Sequence, residues 1–206
     1  MSPASPDYDA LYRDTAGSGG PPWEIGGPQP ALAEVIDGAA KGPKVLDVGC
    51  GTGDLALALA RRGYDVTAVD ISRVAIDAAR AKAAAEGLTV HFEVRDATAL
   101  TLPTAPFDSI VDSGLLHSLH RYGGPGLADY LARLPSLAAP GATVFVLAVS
   151  VEDGQGWGVT EGLLRSAFAP PSWRDTEVRP IAVAAEVDGE GLTLPGFLLR
   201  TVRASD

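Results

Sequence analysis

Lys44-Val45-Leu46-Asp47-Val48-Gly49-Cys50-Gly51-Thr52-Gly53 is the stretch around which the chain is organised. Val45, Leu46 and Val48 are bulky or β-branched, as in a short strand covered on both faces of a parallel sheet. Three glycines then alternate with Cys50 and Thr52, in a turn that allows positive φ and close approach of a ligand to bare backbone. Asp54 to Arg62 consists of strong helix formers, and Gly63 ends the helix after two arginines placed where the helix dipole favours cations.

Strand, glycine turn and helix make a nucleotide-binding device, and the spacing narrows which one. Gly49-x-Gly51-x-Gly53 departs from the G-x-G-x-x-G dinucleotide fingerprint, and no Gly-Lys-Ser/Thr follows, which excludes a phosphate-cradling P-loop. Asp47, inside the strand that feeds the turn, repels a pyrophosphate and suits a cation. A turn that serves tight packing alone is the plain alternative.

Working outward, Pro30 opens a short amphipathic helix over Ala31–Ile36 that ends near Gly38–Gly42. Residues 1–30 before it read as irregular, centred on Gly17-Ser18-Gly19-Gly20-Pro21-Pro22. They nonetheless carry Tyr8, Tyr12, Trp23 and Ile25, which fits either a lid over a pocket or an arm plugging the surface. Downstream, Asp65–Asp70 is a second apolar strand ending in a carboxylate, near the spacing at which an acid reaches a ribose. Ser72 caps an alanine-rich helix that stops at Gly87, and Thr89–Val94 alternates as a third strand ending at Asp96-Ala97. Three successive strands thus end in Gly49, Asp70 and Asp96, and open α/β sheets bind ligands at their strand carboxyl ends.

Phe107–Gly114 reads as strand four, running into a loop with Leu115, Leu116, His117 and His120. A helix over Leu127–Leu137, the apolar strand Ala142–Val149, a loop at Gly154–Gly158 carrying Trp157, and a Thr160-capped helix follow. Runs 176–187 and 192–203, joined by Asp188-Gly189-Glu190-Gly191, carry hairpin signals.

Composition sets outer bounds. The 206 residues, 46% hydrophobic and 20% charged, suit one soluble domain with a sizeable core. A formal net charge of −10 opposes nucleic acid and anionic membranes as partners. No membrane span or signal peptide is read, and one cysteine permits neither an internal disulfide nor a cysteine-based metal cluster. No metal site is expected, and a cytoplasmic location fits best.

In order and spacing, these motifs resemble those of the class I S-adenosylmethionine (SAM)-dependent methyltransferases over about residues 23–150, extending to the C-terminus. The resemblance implies a single Rossmann-like α/β domain: a mostly parallel seven-stranded sheet, a C-terminal antiparallel hairpin, and helices on both faces. It divides the chain into a lid at 1–30 and a methyltransferase domain at 31–206. It implies that Asp47, Gly49, Cys50, Gly51 and Gly53 line the methionine moiety, with Asp70 on the ribose hydroxyls and Ile71 against adenine. Asp96 and Ala97 then lie by the adenine amino group.

Pro21-Pro22-Trp23-Glu24-Ile25-Gly26 and Ile110–His117 are similar to segments of the small-molecule branch, the thiopurine- and heterocyclic-toxin-methyltransferase-like groups. There Trp23 would be a pocket wall, and the acceptor a small, often aromatic molecule methylated on S, O or N. No Asn/Asp-Pro-Pro-Tyr/Phe tetrad follows strand four, against a nucleic-acid substrate. S-adenosylhomocysteine is the implied product, and the implied assembly a monomer or homodimer.

Methyl transfer to a hydroxyl requires loss of its proton, and histidine is the usual agent near neutral pH. His117, then His120, are candidate bases. Asp112 is a candidate either for the chemistry or for the cofactor's methionyl end, Ser113 is a further cofactor-binding candidate, and Tyr122 lies nearby. His91 reads as solvated and Cys50 as a packing residue. The rival readings are a non-catalytic SAM-binding regulator and a nicotinamide-dependent oxidoreductase, the latter opposed by the glycine spacing and Asp47.

Overall fold

The computed structural model describes residues 6–36, 38, 40–151, 157–187 and 189–205. Seven strands form one sheet: β1 Lys44–Val48, β2 Asp65–Asp70, β3 His91–Val94, β4 Phe107–Ser113, β5 Ala138–Val149, β6 Trp173–Val187 and β7 Glu190–Arg203. Their order is β3-β2-β1-β4-β5-β7-β6. The first five strands pair in parallel; β7 runs antiparallel to β5, and β6 antiparallel to β7. This is the expected mostly parallel sheet with its C-terminal hairpin.

Period-two alternation splits the apolar residues between two cores. Leu46 and Val48 of β1 and Val144 and Val146 of β5 pack on one face, under α5 (Leu115–Tyr122), α6 (Gly126–Leu137) and α7 (Glu161–Ala167). Val45, Phe145 and Leu147 pack on the other, under α2 (Pro30–Ile36), α3 (Asp54–Arg61) and α4 (Arg73–Glu86). Ser72 caps α4 by accepting from the Ala75 amide at 3.1 Å, and Gly87 ends it in the left-handed conformation.

Two segments expected to be irregular are helices. Tyr8–Thr15 forms α1, whose Asp7 side chain caps it through the Ala10 amide at 3.0 Å; a single 3-10 turn at Ala16–Ser18 follows. Tyr8 and Tyr12, one turn apart, share a face of α1, a pattern obscured in the sequence by the neighbouring glycines and prolines. The segment after strand four, expected as a loop, is α5. Its first amides donate to the side chain of Asp112, a cap set by a residue inside the preceding strand.

Strand limits also differ: β3 begins at His91, whereas β6 and β7 run longer than 176–187 and 192–203. The first five residues of the expected lid, Gly154–Gly156 of the expected loop and Asp188 of the hairpin lie outside the described residues. Among the described residues no helix is long and apolar enough to cross a membrane.

Candidate active site

The glycine turn is pinned to the neighbouring strand: the Gly49 and Cys50 amides both donate to the Val69 carbonyl, at 2.8 and 3.0 Å. Gly51 has φ +53°, and a Cβ there would lie 2.8 Å from the Tyr12 hydroxyl, so α1 rests on bare backbone. Asp70, at the end of β2, accepts from the Gly51 amide on one oxygen (2.9 Å) and from the Ser72 amide on the other (2.8 Å). Each oxygen keeps a lone pair for a diol. Burial raises its pKa above the usual carboxylate range.

Ile71 is 54% exposed, an apolar face in want of a flat partner. Asp96 is exposed and caps the Ala97–Ala99 turn through the Thr98 amide (2.8 Å) and hydroxyl (2.7 Å), with Ala97 buried beside it.

Beneath the turn lies a buried acidic cluster. Both oxygens of Asp47 are buried without a hydrogen-bond partner. Burial, then the charges of Asp112 and Asp70, push its pKa up to about 8, against a weaker pull from the Ala56 amide. A buried unpaired carboxylate is costly, and a cation brought nearby would relieve it.

Asp112 is wholly buried at the end of β4. Its carboxylate accepts from the Gly114 (3.0 Å), Leu115 (2.7 Å) and Leu116 (3.0 Å) amides and from the Tyr130 hydroxyl (2.9 Å). Burial nonetheless pushes it up to about 7. The same burial pushes the Cys50 thiol well up, away from the reactive thiolate.

The N-terminal segment packs against this face, through the expected aromatics Tyr8, Tyr12 and Trp23 and through Asp9 and Glu24, which sequence reasoning left unassigned. Asp9 of α1 accepts from the Ser72 hydroxyl (2.6 Å) and the Val74 amide (3.2 Å) at the start of α4. Glu24 accepts from the Thr52 hydroxyl, and Lys82 bridges Thr52 Oγ1 (2.6 Å) and Asp54 (2.7 Å), with Glu24 at 3.8 Å. Trp23, 44% exposed, donates from Nε1 to the Tyr12 hydroxyl at 3.1 Å and meets its ring edge-on. Tyr8 is hydrogen-bonded to Ser118 of α5 and has Tyr122 and Arg121 nearby. These partners lie in distant parts of the sequence; the Glu24 of the Pro-Pro-Trp-Glu run was the only local signal.

α5 forms the opposite wall. Leu115 packs on the glycine turn, its Cβ 2.9 Å from where a Gly49 Cβ would be, and Ser113 is half-buried just before the helix. His117 is partly buried; its Nδ1 accepts from the Val149 amide at 3.3 Å, and its ring lies 5.6 Å from that of Trp157. Burial, then Arg121, push its pKa down to about 4. The Arg121 guanidinium stacks 4.6 Å over Trp157. His120 is exposed, as is His91, 3.9 Å from Asp65. The structure therefore brings Asp47, the three glycines, Asp70 and Ile71 to one face and leaves His120 outside it. A cavity of about 170 Å³ lies between Gly19–Pro22 and the hairpin residues Glu186, Val187 and Gly189, with Glu24 in its lining.

A carboxylate at the end of β2, an exposed apolar side chain after it, bare glycine backbone and an unpaired buried acid fit a nucleoside that carries positive charge. Residues 45–141 match the family model described as a methyltransferase domain. The chain is 35% identical over 191 residues to 2-heptyl-1-hydroxyquinolin-4(1H)-one methyltransferase of Mycobacteroides abscessus, covering 88% of this chain and 82% of that protein. It is also 35% identical over 152 residues to demethylmenaquinone methyltransferase of Thermus thermophilus, covering 71% and 63% of the two.

A solved structure reported for the conversion of a disulfide bond into a thioacetal group during echinomycin biosynthesis superposes with TM-score 0.85. The two are 34% identical, over 96% of this chain and 91% of that one. The fold and site define an α/β nucleoside-binding enzyme. The chain belongs to the class I SAM-dependent methyltransferases, in their small-molecule branch.

Proposed function

We propose that this enzyme methylates an oxygen of a small hydroxylated heteroaromatic acceptor. The observation that carries the reading is the wall beyond the cofactor face: Trp157 with Arg121 stacked on it, beside His117, and Tyr8 and Tyr122 close by. Flat aromatic surface suits a planar ring, and the cation and hydroxyl donors suit an oxygen rather than sulfur, a weak acceptor of hydrogen bonds. The Mycobacteroides abscessus relative, named for a hydroxyquinolone, points to the same acceptor class.

In this reading Asp70 takes the ribose hydroxyls, Ile71 and Ala97 flank the adenine with Asp96 near its amino group, and the glycine turn approaches the methionyl end. Asp47 supplies a negative field beneath it. Bound there, SAM supplies a methyl group on a sulfonium leaving group, so the protein's work is alignment and exclusion of water. Tyr12 and Trp23 close the cleft from above, and Leu115 sets its floor. The test is incubation with SAM and a panel of hydroxyquinolones, phenols, thiols and azaheterocycles, read by mass spectrometry. Methylation of the hydroxylated rings is expected; turnover confined to thiols or ring nitrogens would overturn the oxygen assignment.

A further inference from the structure

Resting on that reading, we propose that His117 is a fixed hydrogen-bond donor to an acceptor oxygen that has lost its proton before binding, so that the site selects acidic hydroxyls.

The Val149 amide must donate into a lone pair, and it does so at Nδ1 of His117 at 3.3 Å. The neutral ring then carries its proton on Nε2, and Nε2 is the nitrogen left for a ligand. Such a ring presents N–H, not a lone pair, to whatever enters. To act as a base it would have to release the amide of β5 and turn over.

The surroundings also oppose a second proton on the ring. Arg121 lies one turn along α5, and its cation sits over Trp157, the same ring that His117 faces. Among the described residues no carboxylate is paired with His117, unlike a histidine base held by an acid. The same arrangement suits an anion, since an N–H and a nearby guanidinium both stabilise an oxygen that already bears charge.

The step balances without a base. The acceptor hydroxyl gives its proton to solvent before binding. Its oxygen lone pair forms the new C–O bond, the C–S bond breaks with its electron pair going to sulfur, and a neutral methyl ether and S-adenosylhomocysteine result. The Nε2 proton of His117 stays in place throughout.

Three measurements on the full chain test this. In kcat/KM against pH for hydroxyquinolones and phenols of graded acidity, donation predicts one rising limb at the pKa of each free acceptor. A histidine base predicts a bell that rises near 4 and falls at the acceptor pKa. Second, His117→Gln, which keeps a donor near the Nε2 position, should retain activity within about tenfold of the parent. His117→Ala should lose roughly a hundredfold. Equal losses in the two variants overturn the proposal.

Third, 1-hydroxyquinolin-4(1H)-one is titrated by ultraviolet absorbance on enzyme saturated with S-adenosylhomocysteine. Its pKa should fall by about one unit or more on the parent protein and not on His117→Ala; an unshifted pKa on the parent overturns the proposal. If no hydroxylated probe binds or is methylated, the oxygen-acceptor reading fails along with it. Transfer with a bell-shaped profile overturns the donor role alone.

Discussion

At the scale of single residues, Asp47, Asp70 and Asp112 have different environments and therefore different roles. Asp112 is spent on amides and a tyrosine hydroxyl, Asp47 has no partner, and Asp70 holds two amides with lone pairs to spare. Asp70 is the one placed to exchange a contact with a ligand. Asp70→Ala is expected to weaken SAM binding by on the order of 2 kcal/mol, some thirtyfold, through loss of charge-assisted hydrogen bonds. Because the same side chain holds the Gly51 amide, a modest drop in melting temperature should accompany it. Isothermal calorimetry with S-adenosylhomocysteine reads the first effect, and unchanged affinity would remove Asp70 from the ribose.

At the scale of elements, α1 and the segment to Glu24 are fastened to the domain largely by polar contacts. Asp9 on the start of α4 and Glu24 on Thr52 hold them, with Tyr12 as the one buried side chain of α1. Contacts of this kind, open to solvent, hold less firmly than core packing, and we propose that the segment is a lid that opens more readily than the core unfolds. Tyr12 lies over Gly51, so the proposed opening would bare that backbone to the cofactor.

Glu24→Gln is expected to leave the melting temperature within a few degrees of the parent while trypsin cleaves faster after Arg13, which is exposed on α1. S-adenosylhomocysteine should slow that cleavage in both proteins. If cleavage accelerates only in step with a collapse in melting temperature, the segment is a plug welded to the core and not a lid.

For the molecule as a whole, the buried acids couple stability to pH. Asp47 and Asp112 have folded pKa values of about 8 and about 7, both above the ordinary 3.8. Between about pH 4 and 8 the folded protein therefore binds more protons than the unfolded chain, and these groups lower its stability as pH rises through that window. Asp47→Asn should flatten the decline in melting temperature of the cofactor-free enzyme. It should also stabilise that form at pH 8 by on the order of 2 kcal/mol, several degrees for a chain of this length. The same substitution should weaken SAM binding by removing the field beneath the turn. Thermal scans across pH check it; a parent stability that rises from pH 5 to 8 and a variant that follows it would show that Asp47 is ionised and stabilised in the free enzyme.

Much of this molecule is legible over a dozen residues at a time. Val45 and Leu46 show opposite faces of one strand, Ser72 and Gly87 bracket α4, and Gly49, Gly51 and Gly53 mark the turn, because periodicity, caps and positive φ are local properties. The mostly parallel seven-stranded sheet with its C-terminal hairpin followed from those elements and their resemblance to a known family, whereas the strand order is visible only in the fold.

What stayed hidden depends on partners far along the chain. α5 reads from sequence as a loop because its cap, Asp112, lies inside the preceding strand, and Tyr130, eighteen residues on, completes that acid's shell. Glu24 meets Thr52 across 28 residues. His117 reads from sequence as a candidate base; an amide 32 residues later takes its Nδ1 lone pair, which is the contact the donor proposal rests on. The proton on an imidazole is set by what its other nitrogen touches, and only the folded chain brings Val149 to it.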